Sequence, residues 1–295
     1  MALVDLHPVG ASSSWVAGQS GNQQGGCAYF AGNIHAGVWH GSSDSWTDLQ
    51  PTGAEYSWVE GAGGSQQVGS VKFPNETWPR ASMWTGSTGS WVDLSPAGYH
   101  ISFAHGTDGF TQVGRAYSPW ESNAHAGLWR GSADTWVDLH PAGLHSSAAL
   151  VVQGNQQAGY ARYDIGGDHA CVWSGTADSW IDLMPKGAVD SRAERVYGGW
   201  QIGYTDFGDG RWKNSLWHGT AESWEDITAS LPPEWDDGGG ADLWTDEQRL
   251  YLGGIVRERA TQDYYFAVLS RPIPEPGGVA LLGLAGGLVR RRRAR

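Results

Sequence analysis

The chain has 295 residues, of which 44 are glycine and 18 are tryptophan, and its formal net charge is -12 at pH 7. This much glycine excludes a helical bundle or a coiled coil, and with the tryptophan it favours short strands and tight turns around aromatic packing. The negative charge argues against a nucleic-acid-binding protein, which needs a basic face.

The N-terminus lacks the basic and apolar regions of a secretory signal, and it begins a repeat instead. Val4-Asp5-Leu6 is the end of a Trp-x-Asp-Leu element without its tryptophan. Fuller copies of this element begin at Trp46, Trp91, Trp136, Trp180 and, in a degenerate form, Trp224. The repeated aspartates are Asp5, Asp48, Asp93, Asp138, Asp182 and Asp226. Successive members lie 43 to 45 residues apart, which establishes an internal repeat.

Each repeat carries signals for four short strands, which we name a to d. A second tryptophan precedes each fuller copy by seven residues: Trp39, Trp84, Trp129, Trp173 and Trp217. Glycine with small polar residues between the two tryptophans predicts a hairpin turn. In the fourth repeat we predict strand a at 146–152, b at 156–162, c at 169–174 and d at 178–183. Four strands in about 44 residues are typical of a β-propeller blade.

The last repeat supplies strands a, b and c, through 250–252 and 265–268, without a following Trp-x-Asp-Leu. Residues 3–6 can supply the missing strand d. We therefore predict an all-β, six-bladed β-propeller over residues 1–270, in which the N-terminal strand closes the last blade and removes a free sheet edge. A start upstream of residue 1 would allow further blades.

The combination of Gln-Gln-x-Gly-Tyr, His-Ala-x-x-Trp and Asp-Leu resembles the HAF-type extracellular repeat of exported bacterial proteins. The resemblance covers residues 3–270, and its His-Ala pairs begin at His35, His125 and His169. The histidine is absent from the copies that contain Trp84 and Trp217. The resemblance implies no catalytic residues.

Residues 271–295 form a separate linker and tail. Pro274-Glu275-Pro276 precedes an apolar run at 277–289 and the basic residues Arg290, Arg291, Arg292 and Arg293. The apolar run predicts a short helix of about 20 Å, which is short for a hydrocarbon core of about 30 Å. A frayed tail with solvated arginines is the alternative interpretation.

The ordered set in this tail resembles the PEP-CTERM sorting signal, which implies recognition and cleavage by an exosortase-type membrane enzyme. It also implies transient anchoring in the membrane through 277–289, with the arginines on the cytoplasmic side. We therefore expect an exported protein at the cell surface or outside the cell. The missing leader conflicts with export, and a truncated or wrongly assigned start would resolve the conflict.

The repeated residues predict structure rather than chemistry. We expect the ten repeated tryptophans to pack between sheets, each with a local partner for its indole N–H. We expect each repeated aspartate to accept backbone N–H bonds in the following turn. Six copies of one acid do not make one active-site acid. Cys27 and Cys171 lie in distant repeats and should be free thiols.

No catalytic, metal or cofactor site is predicted. Histidines from separate blades converge on one ion only near an axis. Nucleophile-elbow, phosphate-loop and dinucleotide motifs are missing from the sequence.

The connections between strands b and c depart most from the repeat, and variable loops on a rigid scaffold are where binding evolves. Four aromatic residues in these loops lie outside the repeat pattern: Trp78, Trp120, Tyr163 and Trp212. They are the candidate ligand-binding residues, able to stack on sugar rings. The alternative is that they cover the bases of their loops.

The leading hypothesis from the sequence is a non-enzymatic surface or matrix protein that binds exopolysaccharide through this loop face. An extracellular polysaccharide hydrolase or lyase and a protein-interaction propeller are the two alternatives.

Overall fold

The computed structural model describes residues 4–119, 123–246 and 248–273. Its strands are β1 (Ser13–Ser20), β2 (Gln23–Phe30), β3 (Asn33–Trp39), β4 (Thr47–Asp48), β5 (Tyr56–Gly63), β6 (Gln66–Lys72), β7 (Arg80–Trp84), β8 (Val92–Asp93), β9 (Ile101–Thr107), β10 (Gln112–Tyr117), β11 (Ala124–Trp129), β12 (Val137–Asp138), β13 (Ser146–Gln153), β14 (Gln156–Arg162), β15 (Asp168–Trp173), β16 (Ile181–Asp182), β17 (Asp190–Tyr197), β18 (Trp200–Asp206), β19 (Trp212–Trp217), β20 (Glu225–Asp226), β21 (Trp235–Thr245), β22 (Arg249–Glu258) and β23 (Tyr264–Pro272).

These strands form successive antiparallel sheets. Five sheets have four strands each, in the orders β1-β2-β3-β4, β5-β6-β7-β8, β9-β10-β11-β12, β13-β14-β15-β16 and β17-β18-β19-β20. The last sheet that the described residues form has three strands, β21-β22-β23. Sequential four-stranded sheets of this kind confirm an all-β, propeller-like fold.

The fourth repeat shows how well the strand prediction succeeds. Strands a, b and c are found as β13, β14 and β15 within one residue of the predicted bounds. Strand d is shorter than predicted, because a 3₁₀ turn at Ala177–Ser179 precedes β16. The hydroxyl of Ser179 accepts the N–H of Ser174 at 2.7 Å and donates to the carbonyl of Thr176 at 2.6 Å, which stabilises the turn.

The same turn recurs between strands c and d elsewhere, at Ser43–Ser45, Thr88–Ser90, Ala133–Thr135 and Ala221–Ser223. A further 3₁₀ turn lies at Thr228–Ser230.

The chain divides into two compact units. The first comprises the described residues up to Gln157 together with Ser174–Ser179. Within it, β1 packs against β5, β5 against β9 and β9 against β13. A Cβ on Gly61 would lie 2.6 Å from the carbonyl oxygen of His105, so glycine permits this close backbone approach. The core of this unit includes a cluster in which Trp84 packs with Ala36, Val38 and Leu49 of the preceding sheet.

The second unit comprises Ala158–Trp173 and the described residues from Trp180 onward. Its core includes Ile202, Leu216 and Ile227 packed with Leu250, Leu252 and Leu269 of the last sheet. A smaller cluster is built on Trp235, Val256, Tyr265 and Ala267.

A bulge in the first strand of a sheet explains the glycine of the Gln-Gln-x-Gly motif. The pairing of β9 with β10 shifts so that His105 is unpaired between Ala104 and Gly106. This shift places the carbonyl oxygen of Phe103 over Gly114, where a Cβ would lie only 1.9 Å away. Gly69 and Gly203 occupy the same position in their own sheets, with the same 1.9 Å approach. The motif glycine is therefore required by backbone packing.

The packing prediction for the first tryptophan of each repeat is confirmed. Trp39, Trp84, Trp129, Trp173 and Trp217 are all fully buried. The expectation of a local indole partner is wrong for this set, because their Nε1 atoms have no hydrogen-bond partner among the described residues. Apolar side chains pack around the rings of Trp84 and Trp129 instead.

The second tryptophan lies on a small residue of strand c. The rings of Trp46 and Trp136 cover Gly37 and Gly127, where a Cβ would meet ring carbons at about 2 Å. Where serine replaces this glycine, the indole N–H finds a partner: Trp91 donates to Ser82 at 3.0 Å and Trp224 to Ser215 at 2.9 Å.

Two predictions concern the ends of the chain. Val4–Leu6 forms no strand in the structure, and the described last sheet has three strands, so the predicted N-terminal closing strand is not observed. The predicted apolar helix at 277–289 and the residues Pro274, Glu275, Pro276 and Arg290, Arg291, Arg292 and Arg293 lie outside the described residues. Within the described ranges, no helix has the length and apolar character needed to cross a membrane.

Candidate functional site

Each repeated aspartate stabilises the turn that follows it, as predicted. One carboxylate oxygen, Oδ1, accepts the backbone N–H two residues later in five copies, those of Asp5, Asp48, Asp93, Asp138 and Asp182. These bonds are 2.7 to 2.8 Å long. This recurrence indicates a structural role, because one active site would not use the equivalent aspartate of every sheet.

The second oxygen, Oδ2, has a partner that the sequence reasoning missed. A histidine near the start of strand c, 13 positions earlier in the chain, contacts it in the pairs His35–Asp48, His125–Asp138 and His169–Asp182 at 2.8 to 2.9 Å. Where the histidine is missing, Arg80 takes its place and contacts Asp93 at 2.6 Å. The signal in the sequence was that a basic residue stands where the His-Ala pair is lost.

These bonds affect the ionisation of the carboxylate. Burial acts to raise the pKa of Asp138, but hydrogen bonds from His125 and from the N–H of His140 outweigh it and lower the pKa below its usual value. Asp138 is therefore ionised at neutral pH, and its pairing with strand c stabilises the sheet.

The fifth repeat departs from this arrangement. Lys213 occupies the histidine position, but its Nζ is 3.6 Å from Oδ2 of Asp226, longer than the contacts in the other repeats. The ammonium also lies 4.7 Å from the centre of the Phe207 ring. Oδ1 of Asp226 accepts the N–H of Ala229, three residues later rather than two, at 3.1 Å. The cation–carboxylate pair of this repeat is loosened.

A cavity of about 510 Å³ opens beside this loosened pair, entirely within the second unit. Its lining comes from the β18–β19 connection, the residues after β20 and the end of β22. The lining residues are Asp209, Gly210, Arg211, Trp212, Lys213, Asp226, Thr228, Ala229, Arg257 and Arg259. Four of these side chains are cationic and two are carboxylates, so the cavity carries a net positive charge in a protein whose net charge is -12.

Local sequence shapes the first wall of this cavity. In the β18–β19 connection, Gly208 and Gly210 have φ values of 78° and 75°, a backbone region that glycine enters without strain. Asp206 accepts the N–H of Gly208 at 2.8 Å, and Asp209 accepts the N–H of Arg211 at 3.0 Å. These two side chains therefore stabilise successive turns.

Trp212 begins β19 at the mouth of the cavity. Its side chain is 46% exposed, and its ring meets that of Tyr204 edge to face at 4.7 Å. Burial raises the pKa of Tyr204 to about 12, so this phenol is protonated at neutral pH. An indole held by one aromatic contact and open to solvent provides a surface on which a ligand can pack.

Another part of the lining is anchored by Arg259. Its backbone N–H donates to the carbonyl of Glu234 at 2.9 Å, and its Nε–H donates to the carbonyl of Trp235 at 3.1 Å. On the third side, Thr228 accepts the N–H of Asn214 through its hydroxyl at 2.9 Å. The walls are thus fixed by hydrogen bonds to the sheets.

The four candidate aromatic residues have different surroundings where the structure describes them. Trp212 lines the cavity, whereas Trp78 belongs to the first unit and is 49% exposed. Tyr163 packs edge to face on His169 at 5.0 Å and so covers the base of its own loop, as the alternative interpretation held. Trp120 lies outside the described residues.

Other reactive side chains are accounted for by local structure. Cys27 and Cys171 are both free and buried, as predicted. Asp168 is fully buried and paired with Arg162 and Arg192. Within the described ranges, no group of three or more His, Cys, Asp or Glu side chains could hold a metal ion.

Comparisons with known proteins identify similar folds. No protein-family model matches the sequence, and no curated protein matches it. A solved structure from a study of two prolyl endopeptidases aligns with 94% of this chain at 12% identity and a TM-score of 0.54. A post-proline cleaving enzyme from Rickettsia typhi aligns with 88% of it at 9% identity and a TM-score of 0.52. The aligned regions are 43% of each of those chains, so this chain spans less than half their length.

This finding corrects the sequence hypothesis of a non-enzymatic surface or matrix protein. That hypothesis was wrong because the fold of this chain occurs in solved enzymes. At 9 to 12% identity the similarity concerns the fold. The prediction failed because repeated packing residues dominate the sequence, and they are compatible with either kind of protein.

Proposed function

We propose that this chain is the β-propeller part of a peptidase-type enzyme and that it binds peptide in the cavity beside Trp212. The observation that carries the proposal is the break in the repeat at Lys213 and Asp226. In four repeats the basic side chain lies 2.6 to 2.9 Å from the repeated aspartate. In the fifth repeat this distance is longer, and a cavity of about 510 Å³ lies beside the pair. This volume is in the range of about 300–1,000 Å³ that small-ligand sites occupy.

The proposal of a peptidase follows from the solved enzymes that share this fold. Of the two solved structures described above, one comes from a study of two prolyl endopeptidases and the other is a post-proline cleaving enzyme. An extended peptide can pack a side chain against the exposed indole and donate backbone N–H groups to the Oδ2 atoms of Asp209 and Asp226, whose Oδ1 atoms bind the adjacent turns.

Binding of fluorescently labelled peptides to the full chain, followed by anisotropy, tests this proposal. A mixed set of eight-residue peptides, half of them containing proline, should include members that bind. Trp212→Ala should weaken their binding about fivefold or more, because stacking and burial of an indole contribute about 1 kcal/mol or more. Trp78→Ala is the matched control, since its indole is similarly exposed and lies outside the cavity.

The same peptides should be analysed by mass spectrometry for cleavage by the full chain. If no peptide binds to the unmodified protein, or if the two tryptophan variants bind equally well, the proposed function is wrong.

We also propose that the propeller has six blades, with residues 4–6 completing the last sheet. The N-terminal turn is built like the other copies, which supports this. Asp5 accepts the N–H of His7 at 2.8 Å, and Nδ1 of His7 lies 2.9 Å from the hydroxyl of Ser14. The register of β11 with β12, carried over to this repeat, would pair Val4 with Val268. A Val4→Cys/Val268→Cys protein should form that disulfide, and failure to do so where Val9→Cys/Val268→Cys succeeds would contradict the closure.

The sequence resemblances lead to a third proposal, that the protein is an exported member of the HAF-type repeat family. We propose that an exosortase-type membrane enzyme recognises Pro274, Glu275 and Pro276, and that residues 277–289 enter the membrane. Mass spectrometry of the protein from its own host should then find the tail removed after export. A tail that remains intact on exported protein would contradict the proposed cleavage.

A further inference from the structure

We infer that the cavity selects an acidic peptide segment, one that carries two carboxylates on the same side of an extended chain. The inference rests on the proposed function and adds the class of substrate. Its basis is the charge of the lining, the loosened lysine and the position of Trp212.

The charge of the cavity comes from two separate connections. Arg211 and Lys213 lie on the β18–β19 side, and Arg257 and Arg259 lie at the end of β22. The two carboxylates of the lining, Asp209 and Asp226, already accept backbone N–H bonds at 3.0 and 3.1 Å. The lining therefore offers more positive than negative charge to a ligand, which suits an anion.

Lys213 is poised to contact such an anion. Its counterparts bind their aspartates directly, whereas its own ammonium is 3.6 Å from Asp226. An ammonium on a flexible four-carbon stem can turn towards a carboxylate in the cavity without breaking a short hydrogen bond. The longer side chain at this position thus changes a structural contact into a binding group.

The placement of the cations favours two carboxylates rather than one. Arginine pairs with a carboxylate through two parallel N–H bonds, and in the lining Arg211 stands two positions before Lys213. Side chains two residues apart on an extended peptide emerge on one side, about 7 Å from each other. A Glu-x-Glu segment could therefore place one carboxylate at Arg211 and the other at Lys213, with the intervening residue beside Trp212.

The test uses matched peptides with the full chain. One labelled octapeptide contains Glu-x-Glu, a second has Gln at both positions and a third has Lys. At low salt the Glu peptide should bind at least about tenfold more tightly than the Gln peptide, and the Lys peptide more weakly still. The preference should shrink at high salt, since screening weakens ion pairs.

Variants of the protein locate the effect. Arg211→Gln should reduce affinity for the Glu peptide about tenfold and change affinity for the Gln peptide little. Lys213→His restores the residue that three other repeats carry and should also weaken binding of the Glu peptide. Arg130→Gln, at an exposed position outside the cavity lining, is the control and should have no effect.

The outcomes separate this inference from the proposed function. Equal binding of the Glu and Gln peptides, both dependent on Trp212, would overturn the acidic preference and leave peptide binding in place. Binding of polygalacturonate that requires Arg211, with no binding of any peptide, would overturn both. If Arg211→Gln loses its folded circular dichroism spectrum, the preference of the unmodified protein for Glu over Gln decides the question.

Discussion

Replacing Gly114 with alanine tests whether the bulged first strand determines the repeat motif. A Cβ at this position would lie 1.9 Å from the carbonyl oxygen of Phe103 on β9, where real contacts stay beyond 3.0 Å. Both groups belong to the backbone of paired strands, so no side-chain rotation relieves the clash. The two strands must separate by more than 1 Å locally.

The size of the effect follows from the strand register. Gly114 pairs with Ala104, and the adjacent Arg115 pairs with Phe103. Loss of about two ladder hydrogen bonds at about 1 kcal/mol each, together with the strain of overpacking, gives a destabilisation of about 2–4 kcal/mol. For a chain of this size each kcal/mol lowers the melting temperature by about 2–4 °C, so we expect a decrease of roughly 6–12 °C for about 3 kcal/mol.

Urea unfolding followed by tryptophan fluorescence, and calorimetry, measure this difference. Gly89→Ala is the matched control, because a Cβ there meets nothing within 4 Å and the corresponding residue of the first repeat is Asp44. We expect this control to be neutral or to stabilise the protein by about 0.4–1 kcal/mol. If Gly114→Ala unfolds at the same urea concentration as the control, the argument from the bulge is wrong.

Three further predictions concern single side chains. Burial raises the pKa of the Cys27 thiol to about 12 and that of Cys171 well above its usual value, so a thiol reagent at pH 8 should modify neither in the folded protein and both after unfolding without reductant. Because folding lowers the pKa of Asp138, its contribution to stability is present above about pH 4 and is lost as the pH falls through the pKa of the folded state. The difference in stability between the parent protein and Asp138→Asn should therefore shrink on acidification. A difference in urea midpoint that stays constant from about pH 6 to about pH 3 would contradict this. Trp78→Ala should leave the melting temperature within about 2 °C of the parent, since the ring is 49% exposed, and a larger decrease in calorimetry would show packing that the structure lacks.

The strands and the buried tryptophans could be predicted because the same pattern recurs in successive repeats. The prediction of strand d was too long, because the hydroxyl of Ser179 stabilises a 3₁₀ turn where an extended residue was expected. The partner predicted for the indole of Trp129 was wrong as well, since the pattern shows that a ring is buried but not which atoms surround it.

The candidate site was predicted only in part. Trp212 was identified because it stands outside the repeat pattern, and it does line the cavity. Trp78 met the same criterion and is not among the residues that line the cavity, so irregular position in the repeat does not by itself identify a cavity residue. The sequence also showed where the His-Ala pair is missing. That Lys213 replaces the histidine with a longer contact could be recognised only from the distance to Asp226.

The sequence by itself determined the repeat, the strand order within each sheet and the residues that pack there, because these depend on local pattern and recur at a fixed period. Only the tertiary structure decided which cation meets which carboxylate and where a cavity opens. Arg257 on β22 and Arg259 just after it line the same cavity as Lys213, which belongs to a different sheet more than 40 residues earlier in the chain. Such a meeting depends on how two sheets pack and on side-chain lengths at their ends, and a periodic pattern records neither.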